Sequence, residues 1–420
     1  MLEVDTSEDP VTTDILLTVQ LRTANDPWLP RLKTFKLGSV TEEFIPFIPL
    51  FLSPKISEIY IGFDADSPTM VVASVINRLT TLCPGLEYIT LERLPKDSVI
   101  TEAVSDMLLA CNRDALQTFE VDSPLTEEAR EIVYRLPRLS HLWAVIQGPT
   151  SLPTVELPNL TVIDVEYDEL NWLQGFRGAT LPRLKTIAFH PYSNDIGNFL
   201  GEFESIALTT SVQNTLSSFG CYTTRSWNPN YSALLSFHQL QKVEIRSSCV
   251  GSCSSRVDDD IVMGLARAMP KLEILRLGST PCGTPRGITV KGLIGLARLC
   301  PHLSQLCIHF QAASLVEAAT SAALLSPSYE PIVRLGVCPL TEIEVGEIPI
   351  PVGSGMTIAL ILLQIFPNIL YLTYINPEWK TIAGTIISFR RIGAFVHHTG
   401  EPHYSRLTIH GDILPGGSID

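Results

Sequence analysis

The segment ITVKGLIGLARLCPHLSQLCI, residues 288–308, predicts a helix that leads into a short strand. Leu293 and Leu296 share one helical face, because residues three or four positions apart lie on the same side of a helix. Pro301 ends the helix, since proline disfavours the helical conformation of the residue before it. A unit of this length cannot bury its own apolar side chains, so the segment predicts a similar unit on each side.

The strand of that segment carries three apolar residues with the spacing i, i+3, i+5, which we call the repeat triplet. The triplet recurs as Leu32/Phe35/Leu37, Ile56/Ile59/Ile61, Leu86/Ile89/Leu91, Leu116/Phe119/Val121, Leu139/Leu142/Ala144, Leu160/Ile163/Val165, Leu184/Ile187/Phe189, Leu216/Phe219/Cys221, Leu240/Val243/Ile245, Leu272/Leu275/Leu277, Leu303/Leu306/Ile308, Leu340/Ile343/Val345 and Ile369/Leu372/Tyr374. A second, independent marker is a proline two positions before the triplet, found at Pro30, Pro54, Pro84, Pro137, Pro158, Pro182, Pro270, Pro301 and Pro367. Proline at that place stops an incoming helix and favours an extended strand. The two aligned signals indicate an internal repeat.

The repeat length indicates the fold class. Successive triplets begin on average (369 − 32)/12, or about 28, residues apart, and leucine-rich repeats span about 20–29 residues. We predict an α/β leucine-rich-repeat solenoid, a horseshoe with buried triplets, a parallel sheet on the concave side and helices or turns on the convex side. The predicted division is an N-terminal cap or remnant of an upstream module at 1–27, a solenoid of about 13 repeats at 28–375, and a C-terminal cap with a frayed tail at 376–420.

The segment at 288–308 resembles the cysteine-containing leucine-rich repeat of F-box proteins. The matching positions are Gly292-Leu293, Leu296-Ala297, Cys300-Pro301, Leu303, Leu306 and Ile308. Over about 28–375 the chain is similar to fungal F-box-like leucine-rich-repeat proteins, although no F-box segment is found and Leu277 is not followed by the usual asparagine. The resemblance implies substrate recognition in a ubiquitin-ligase adaptor, with the ligase linker as a second partner if an F-box lies upstream.

Composition argues against several classes of function. The 420 residues include 44 acidic and 30 basic side chains, a formal net charge of −14 that disfavours nucleic acid as a partner. The N-terminus lacks the apolar run of a signal peptide, and nine scattered cysteines do not suggest a disulfide framework. Thr357–Tyr374 is apolar enough to suggest a membrane span, but Pro367 and the last triplet favour a buried helix and strand. We therefore expect a cytoplasmic or nuclear protein that does not bind membranes.

No segment carries a recognisable catalytic pattern. The sequence contains no phosphate-binding glycine-rich loop, zinc-protease helix or nucleophile elbow, so we expect no catalytic residues and no cofactor. Two groups of candidate metal ligands lack suitable partners or spacing and are interpreted as loop and cap residues: Cys249, Cys253 and Cys282, and His397, His398, His403 and His410. We expect no metal site. A regulator of a GTPase or an enzyme without a known motif ranks below a binding protein.

Alternation along the strands predicts which side chains face a partner. Residues between the triplet positions point away from the core, because side chains in a strand alternate with a period of two. The predicted partner-binding residues are the acidic group Glu92, Glu120, Asp122, Asp164 and Glu166, with His141 and Trp143 among them, and the basic group Lys242, Arg246 and Arg276. An exposed tryptophan ringed by charge is typical of an interface hot spot. The alternative is that a loop or the curvature covers Trp143 as ordinary packing.

The sequence thus predicts a non-enzymatic scaffold that binds a basic or mixed-charge protein segment on its concave face. Two interpretations of that scaffold stay open: the substrate-recognition part of an F-box adaptor, or a stand-alone repeat protein without a link to ubiquitin ligases.

Overall fold

The structure is a computed structural model that describes residues 2–4, 28–64, 66–147, 157–167, 176, 179–191, 199–210, 212–223, 229–247, 257–278, 287–320, 338–346 and 348–397. The chain divides into two compact units. The first comprises residues 1–195 with 205–216, and the second comprises residues 196–204 with 217–420. The predicted borders at 27/28 and 375/376 stay a prediction.

In its described part, the first unit contains eight strands that pair in parallel and in sequence order. They are β1 Leu2–Val4, β2 Thr34–Val40, β3 Glu58–Phe63, β4 Tyr88–Glu92, β5 Thr118–Pro124, β6 His141–Ile146, β7 Val162–Tyr167 and β8 Thr186–Pro191. Between them lie a 3₁₀ helix at Ile45–Leu50 and the helices α1 Thr69–Leu82, α2 Ser98–Ala110 and α3 Glu127–Val133. The short strand β1, which carries no triplet, was not predicted.

The second unit repeats this arrangement with six parallel strands in its described residues. They are β9 Ser218–Thr223, β10 Lys242–Ser247, β11 Ile274–Leu277, β12 Gln305–Ile308, β13 Glu342–Gly346 and β14 Tyr371–Tyr374. A 3₁₀ helix at Tyr231–Ser236 and the helices α5 Asp259–Ala268, α6 Val290–Leu299, α7 Ala312–Thr320, α8 Gly355–Ile365 and α9 Trp379–His397 accompany them. The helix α4 Phe199–Thr210 and a 3₁₀ turn at Val212–Asn214 lie where the two units divide in sequence.

The repeat triplets set the strand register. The second triplet residue pairs with its counterpart in the next repeat, as Phe35, Ile59, Ile89, Phe119, Leu142, Ile163 and Ile187 in the first unit. The same pairing runs through Phe219, Val243, Leu275, Leu306, Ile343 and Leu372 in the second. One parallel strand per repeat, with the helices packed on the buried side, confirms the predicted α/β repeat solenoid.

The triplets form the core. Leu272, Leu275, Leu303 and Leu306 are each at most 1% exposed, as predicted. The last strand differs, because Leu372 and Tyr374 of β14 are only half-buried. Thr357–Tyr374 forms most of α8 followed by β14, which confirms the helix-and-strand interpretation of that apolar stretch. No helix in the described part of the chain has the length and apolar character that a bilayer crossing requires.

Local hydrogen bonds explain why each helix stops and the next strand starts. Leu299 ends α6, and the N–H of Cys300 caps it by donating to Leu296 O at 3.0 Å. Just before the next strand, the carbonyl of Ser304 accepts from Thr341 N at 2.9 Å and Glu342 N at 3.1 Å. The same pair of bonds recurs between other neighbouring repeats, for example from Ser57 N and Glu58 N to Lys33 O. These backbone hydrogen bonds link neighbouring repeats without the asparagine that usually follows the strand.

The cysteines of the repeats are packing residues. Cys83 and Cys300 occupy the same repeat position and are buried with free thiols. Burial raises the pKa of each of these thiols to about 12. They are therefore neutral at physiological pH and behave as small apolar side chains.

Candidate protein-binding surface

The outward face of β4–β7 brings the acidic group together. The register places Glu120 beside Trp143, and Trp143 beside Asp164, on three consecutive strands. Neighbouring strands lie about 4.8 Å apart, so these three side chains leave the sheet within about 10 Å of one another. We call Glu92, Glu120, Asp122, Trp143, Asp164 and Glu166 the acidic strip. All six are half-buried, which is the exposure expected of side chains that stand on the open face of a sheet.

The two acids at one end of the acidic strip accept hydrogen bonds from neutral groups. Tyr60 Oη donates to Glu92 Oε2 at 2.8 Å, and Thr90 Oγ1 donates to Glu120 Oε2 at 3.0 Å. Burial raises the pKa of Tyr60, and the bond to Glu92 raises it further. Neither Glu92 nor Glu120 forms an ion pair with a lysine or arginine among the residues that the structure describes. Their negative charge is therefore not neutralised by a cation within this part of the protein.

Asp122 has a structural role in addition to its charge. Its carboxylate accepts from the backbone N–H groups of Arg93 and Leu94, the latter at 3.0 Å. Arg93 has a φ of 56°, in the left-handed region that non-glycine residues rarely adopt. The Arg93 guanidinium in turn donates to Gly38 O at 2.7 Å. Asp122 therefore stabilises the strained turn after β4, and burial raises the pKa of its carboxyl despite those two amide bonds.

The centre of the strip is Trp143. Its indole is neither fully covered nor fully exposed, and His141 precedes it on the same face with Nδ1 at 2.9 Å from Ser140 Oγ. On the next strand Asp164 Oδ1 lies 3.0 Å from His190 Nε2 of β8. Trp143 thus stands between a carboxylate that accepts a hydrogen bond from a threonine hydroxyl and a carboxylate that lies within ion-pair distance of a histidine.

The basic group is organised differently, around an acid that the sequence analysis left out of the site. Glu244 of β10 is 5% exposed, although its strand position points outward. Its carboxylate lies 2.9 Å from Lys242 Nζ, 3.5 Å from Arg246 Nη2 and 3.5 Å from Arg276 Nε. Tyr222 Oη donates to it at 2.5 Å. We call these five residues the Glu244 cluster.

The Glu244 cluster is largely satisfied internally. Arg276 also donates to Gln305 Oε1 at 2.9 Å and lies 3.7 Å from Glu342 Oε1. Burial alone would raise the pKa of Glu244, but the hydrogen bonds from Tyr222 and Lys242 and the nearby cations lower it. The signal that identifies Glu244 in sequence is its place between Lys242 and Arg246, on the strand that pairs with Arg276. The three predicted basic residues are therefore brought together by Glu244, in the second unit, whereas the acidic strip lies in the first.

A second acidic surface lies on the helical side of the first unit. An open groove of about 670 Å³ is lined by residues of α2 and α3 and by Thr126, which caps α3: Glu102, Asp106, Leu109, Thr126, Glu127, Glu128 and Glu131. It has no aromatic side chain in its lining, in contrast to the acidic strip.

The structure offers no metal centre in its described residues, where no three His, Cys, Asp or Glu side chains are grouped to hold an ion. Of the candidate metal ligands, Cys249, Cys253, Cys282, His398, His403 and His410 lie outside the described residues, as does the side chain of His397.

Comparison with known proteins adds little. No family model matches the sequence, and no curated protein is significantly similar to it. Among solved structures, the chain is similar to one described as the crystal structure of the Rad7 and Elc1 complex in yeast. The identity is 15%, the match covers 86% of this chain and 83% of that chain, and the TM-score is 0.30. A likeness of this size carries no argument about what the chain binds.

Proposed function

We propose that this chain is a non-enzymatic protein-binding scaffold whose acidic strip docks a basic or mixed-charge segment of a partner protein. The observation that carries the proposal is the half-buried Trp143 placed between Glu120 and Asp164 on consecutive strands. Tryptophan contributes a large apolar area together with a polar N–H, and it is enriched at the energetic centres of interfaces.

Charge supports the same assignment. Glu92 and Glu120 have no cationic partner among the described residues. A partner protein that supplies lysine or arginine would neutralise the charge of these two carboxylates. Complementary charge accelerates association and selects the partner more than it raises affinity. The cations of the Glu244 cluster already pair with Glu244, so we assign them a secondary role in binding.

The test compares wild-type chain with Trp143→Ala as bait for quantitative partner capture. We expect the variant to weaken capture by about 2 kcal/mol, or about 30-fold, because truncating a central aromatic residue removes most of its contact. Tyr371→Ala on β14 is the matched control, since Tyr371 is 42% exposed on an outward face of the second unit. Normal capture by Trp143→Ala, or loss of its folded circular dichroism spectrum, would contradict the proposal.

The finer proposal is that the scaffold recognises substrates for a ubiquitin ligase, as the resemblance of residues 288–308 to F-box repeats suggests. A cytoplasmic or nuclear location fits that role. Recovery of the ligase linker and cullin with the full chain from cells tests it. Their absence, together with a Trp143-dependent partner, would favour the alternative of a stand-alone repeat protein, and a turnover or GTPase effect would favour the lower-ranked enzymatic or regulatory roles.

A further inference from the structure

We infer that Trp143, Glu120 and Asp164 form a receptor for a single arginine side chain of the docked segment. The inference rests on the proposed function, since it names the chemical group that the acidic strip recognises. It is carried by three features of the described residues: the indole, the two flanking carboxylates, and the carboxylate oxygens that remain available.

The first feature is the half-buried indole. Trp143 is held at its place in the strip because Leu142 and Ala144, its neighbours on β6, are each 2% exposed and face the core. An indole face attracts a cation that lies within about 6 Å of the ring centroid, and tryptophan is the best side chain for this contact. Half-burial lowers the local dielectric constant, which strengthens that attraction.

The second feature is the pair of carboxylates beside it. Glu120 pairs with Trp143 from β5 and Asp164 pairs with it from β7, so a cation above the indole lies within reach of both. An apolar ligand at this place would desolvate two carboxylates without compensation, which is unfavourable. The surroundings therefore select a positive charge.

The third feature is the oxygen that each carboxylate leaves available. Thr90 engages Glu120 Oε2 at 3.0 Å, and His190 Nε2 lies 3.0 Å from Asp164 Oδ1. Glu120 Oε1 and Asp164 Oδ2 have no hydrogen-bond partner among the described residues. The hydrogen bond from Thr90 restricts how the Glu120 carboxylate turns, so its remaining oxygen is partly pre-organised for a ligand. Asp164 Oδ1 is buried without a hydrogen bond and lies near His190, so a ligand meets the Oδ2 side of that carboxylate.

An arginine fits this combination better than a lysine. The guanidinium is planar, stacks on aromatic faces and presents five donors in a rigid fork. It can contact the indole with its face while its edges donate to oxygens on both sides. A lysine ammonium is a compact, strongly hydrated charge and cannot stack.

The experiment follows the indole N–H signals of the full chain, labelled with ¹⁵N at its five tryptophans, and Trp143→Phe assigns the Trp143 signal. The probes are pentapeptides with a central arginine, lysine or citrulline between glycines. Citrulline keeps the planar shape of arginine and removes its charge. We expect the arginine peptide to shift the Trp143 signal with a dissociation constant on the order of 10 mM, the lysine peptide to bind more weakly, and citrulline to give no shift.

Two substitutions test the carboxylates. Glu120→Gln and Asp164→Asn are each expected to weaken the arginine peptide about two- to fivefold, the range of partly exposed ion pairs. Glu131→Gln on α3 is the matched control and should leave the titration unchanged, because Glu131 lies in the groove on the helical side.

The outcomes separate this inference from the proposed function. A shift of equal size with citrulline, or no arginine shift at Trp143, overturns the arginine receptor even if Trp143→Ala reduces partner capture. Conversely, an arginine-specific shift together with normal capture by Trp143→Ala would support arginine binding at Trp143. The same result would overturn the proposal that a partner protein docks through this residue.

Discussion

The outward faces of β5–β7 and of β10–β11 are built from the same repeat, but they differ in the contacts that surround an equivalent carboxylate. Glu120 and Glu244 occupy the same position, one residue after the second triplet residue of their strands. Glu120 has only a threonine hydroxyl as its partner among the described residues, whereas Glu244 is 5% exposed and contacts two arginines, a lysine and a tyrosine. The repeat therefore determines where a side chain stands, and its lateral neighbours determine whether it is available to a partner or used for stability.

The two units should not differ in the core beneath these faces, and substitutions in that core should cause the largest loss of stability. Leu142→Ala in the first unit and Leu303→Ala in the second each remove a side chain that is at most 2% exposed. We expect each to cost about 2–5 kcal/mol of stability, because a cavity remains in a packed core. Hydrogen exchange should report the damage first in adjacent repeats, since coupling passes between neighbours. Unchanged exchange across 257–310 in Leu303→Ala would show that the repeats are not coupled in this way.

The two equivalent glutamates provide the sharpest contrast. Glu244→Ala leaves the cations of its cluster without their shared anion, and we expect it to cost about 2 kcal/mol. Glu120→Ala should change stability by less than about 0.5 kcal/mol, because it removes one hydrogen bond at a half-buried site. Urea unfolding of both variants measures the difference. Equal losses would mean that the two faces do not differ in the way their contacts indicate.

A smaller effect should appear in the pH dependence of stability, with opposite signs in the two units. The folded pKa of Glu244 lies below its ordinary value of 4.5, so its contribution is complete above about pH 4.5 and is lost as the pH falls through the folded pKa. Burial raises the folded pKa of Asp122 above its ordinary value of 3.8. Its contribution is therefore greatest at low pH and declines as the pH rises from 3.8 through the folded pKa.

The comparison of wild type with Glu244→Gln and with Asp122→Asn separates these slopes. The stability lost in Glu244→Gln should shrink on acidification below pH 4.5, and the stability lost in Asp122→Asn should shrink as the pH rises above 3.8. Each slope is bounded by about 1.4 kcal/mol per pH unit for one proton. Slopes of the same sign would contradict the assigned causes of the two pKa shifts.

The sequence by itself determined the repeat and, through it, much of the candidate surface. Because the triplet spacing is constant inside each strand, aligning Phe119, Leu142 and Ile163 already places Glu120, Trp143 and Asp164 side by side, as the strand pairing confirms. The outward direction of these residues follows from alternation along a strand. Burial of the core leucines follows from the same pattern, except in the last repeat, where Leu372 is only half-buried.

Only the tertiary structure decided which charges are available. Strand alternation gives a direction but no rotamer, and therefore could not show that Glu244 turns into a cluster of cations or that Asp122 accepts the amides of the strained turn at Arg93. Nor does the triplet spacing predict the register shifts between Val121 and Pro124 and between Glu344 and Gly346. The physical reason is that an apolar period repeats along one chain, whereas the partner of a polar side chain is chosen across strands by distance, desolvation and competition among its neighbours.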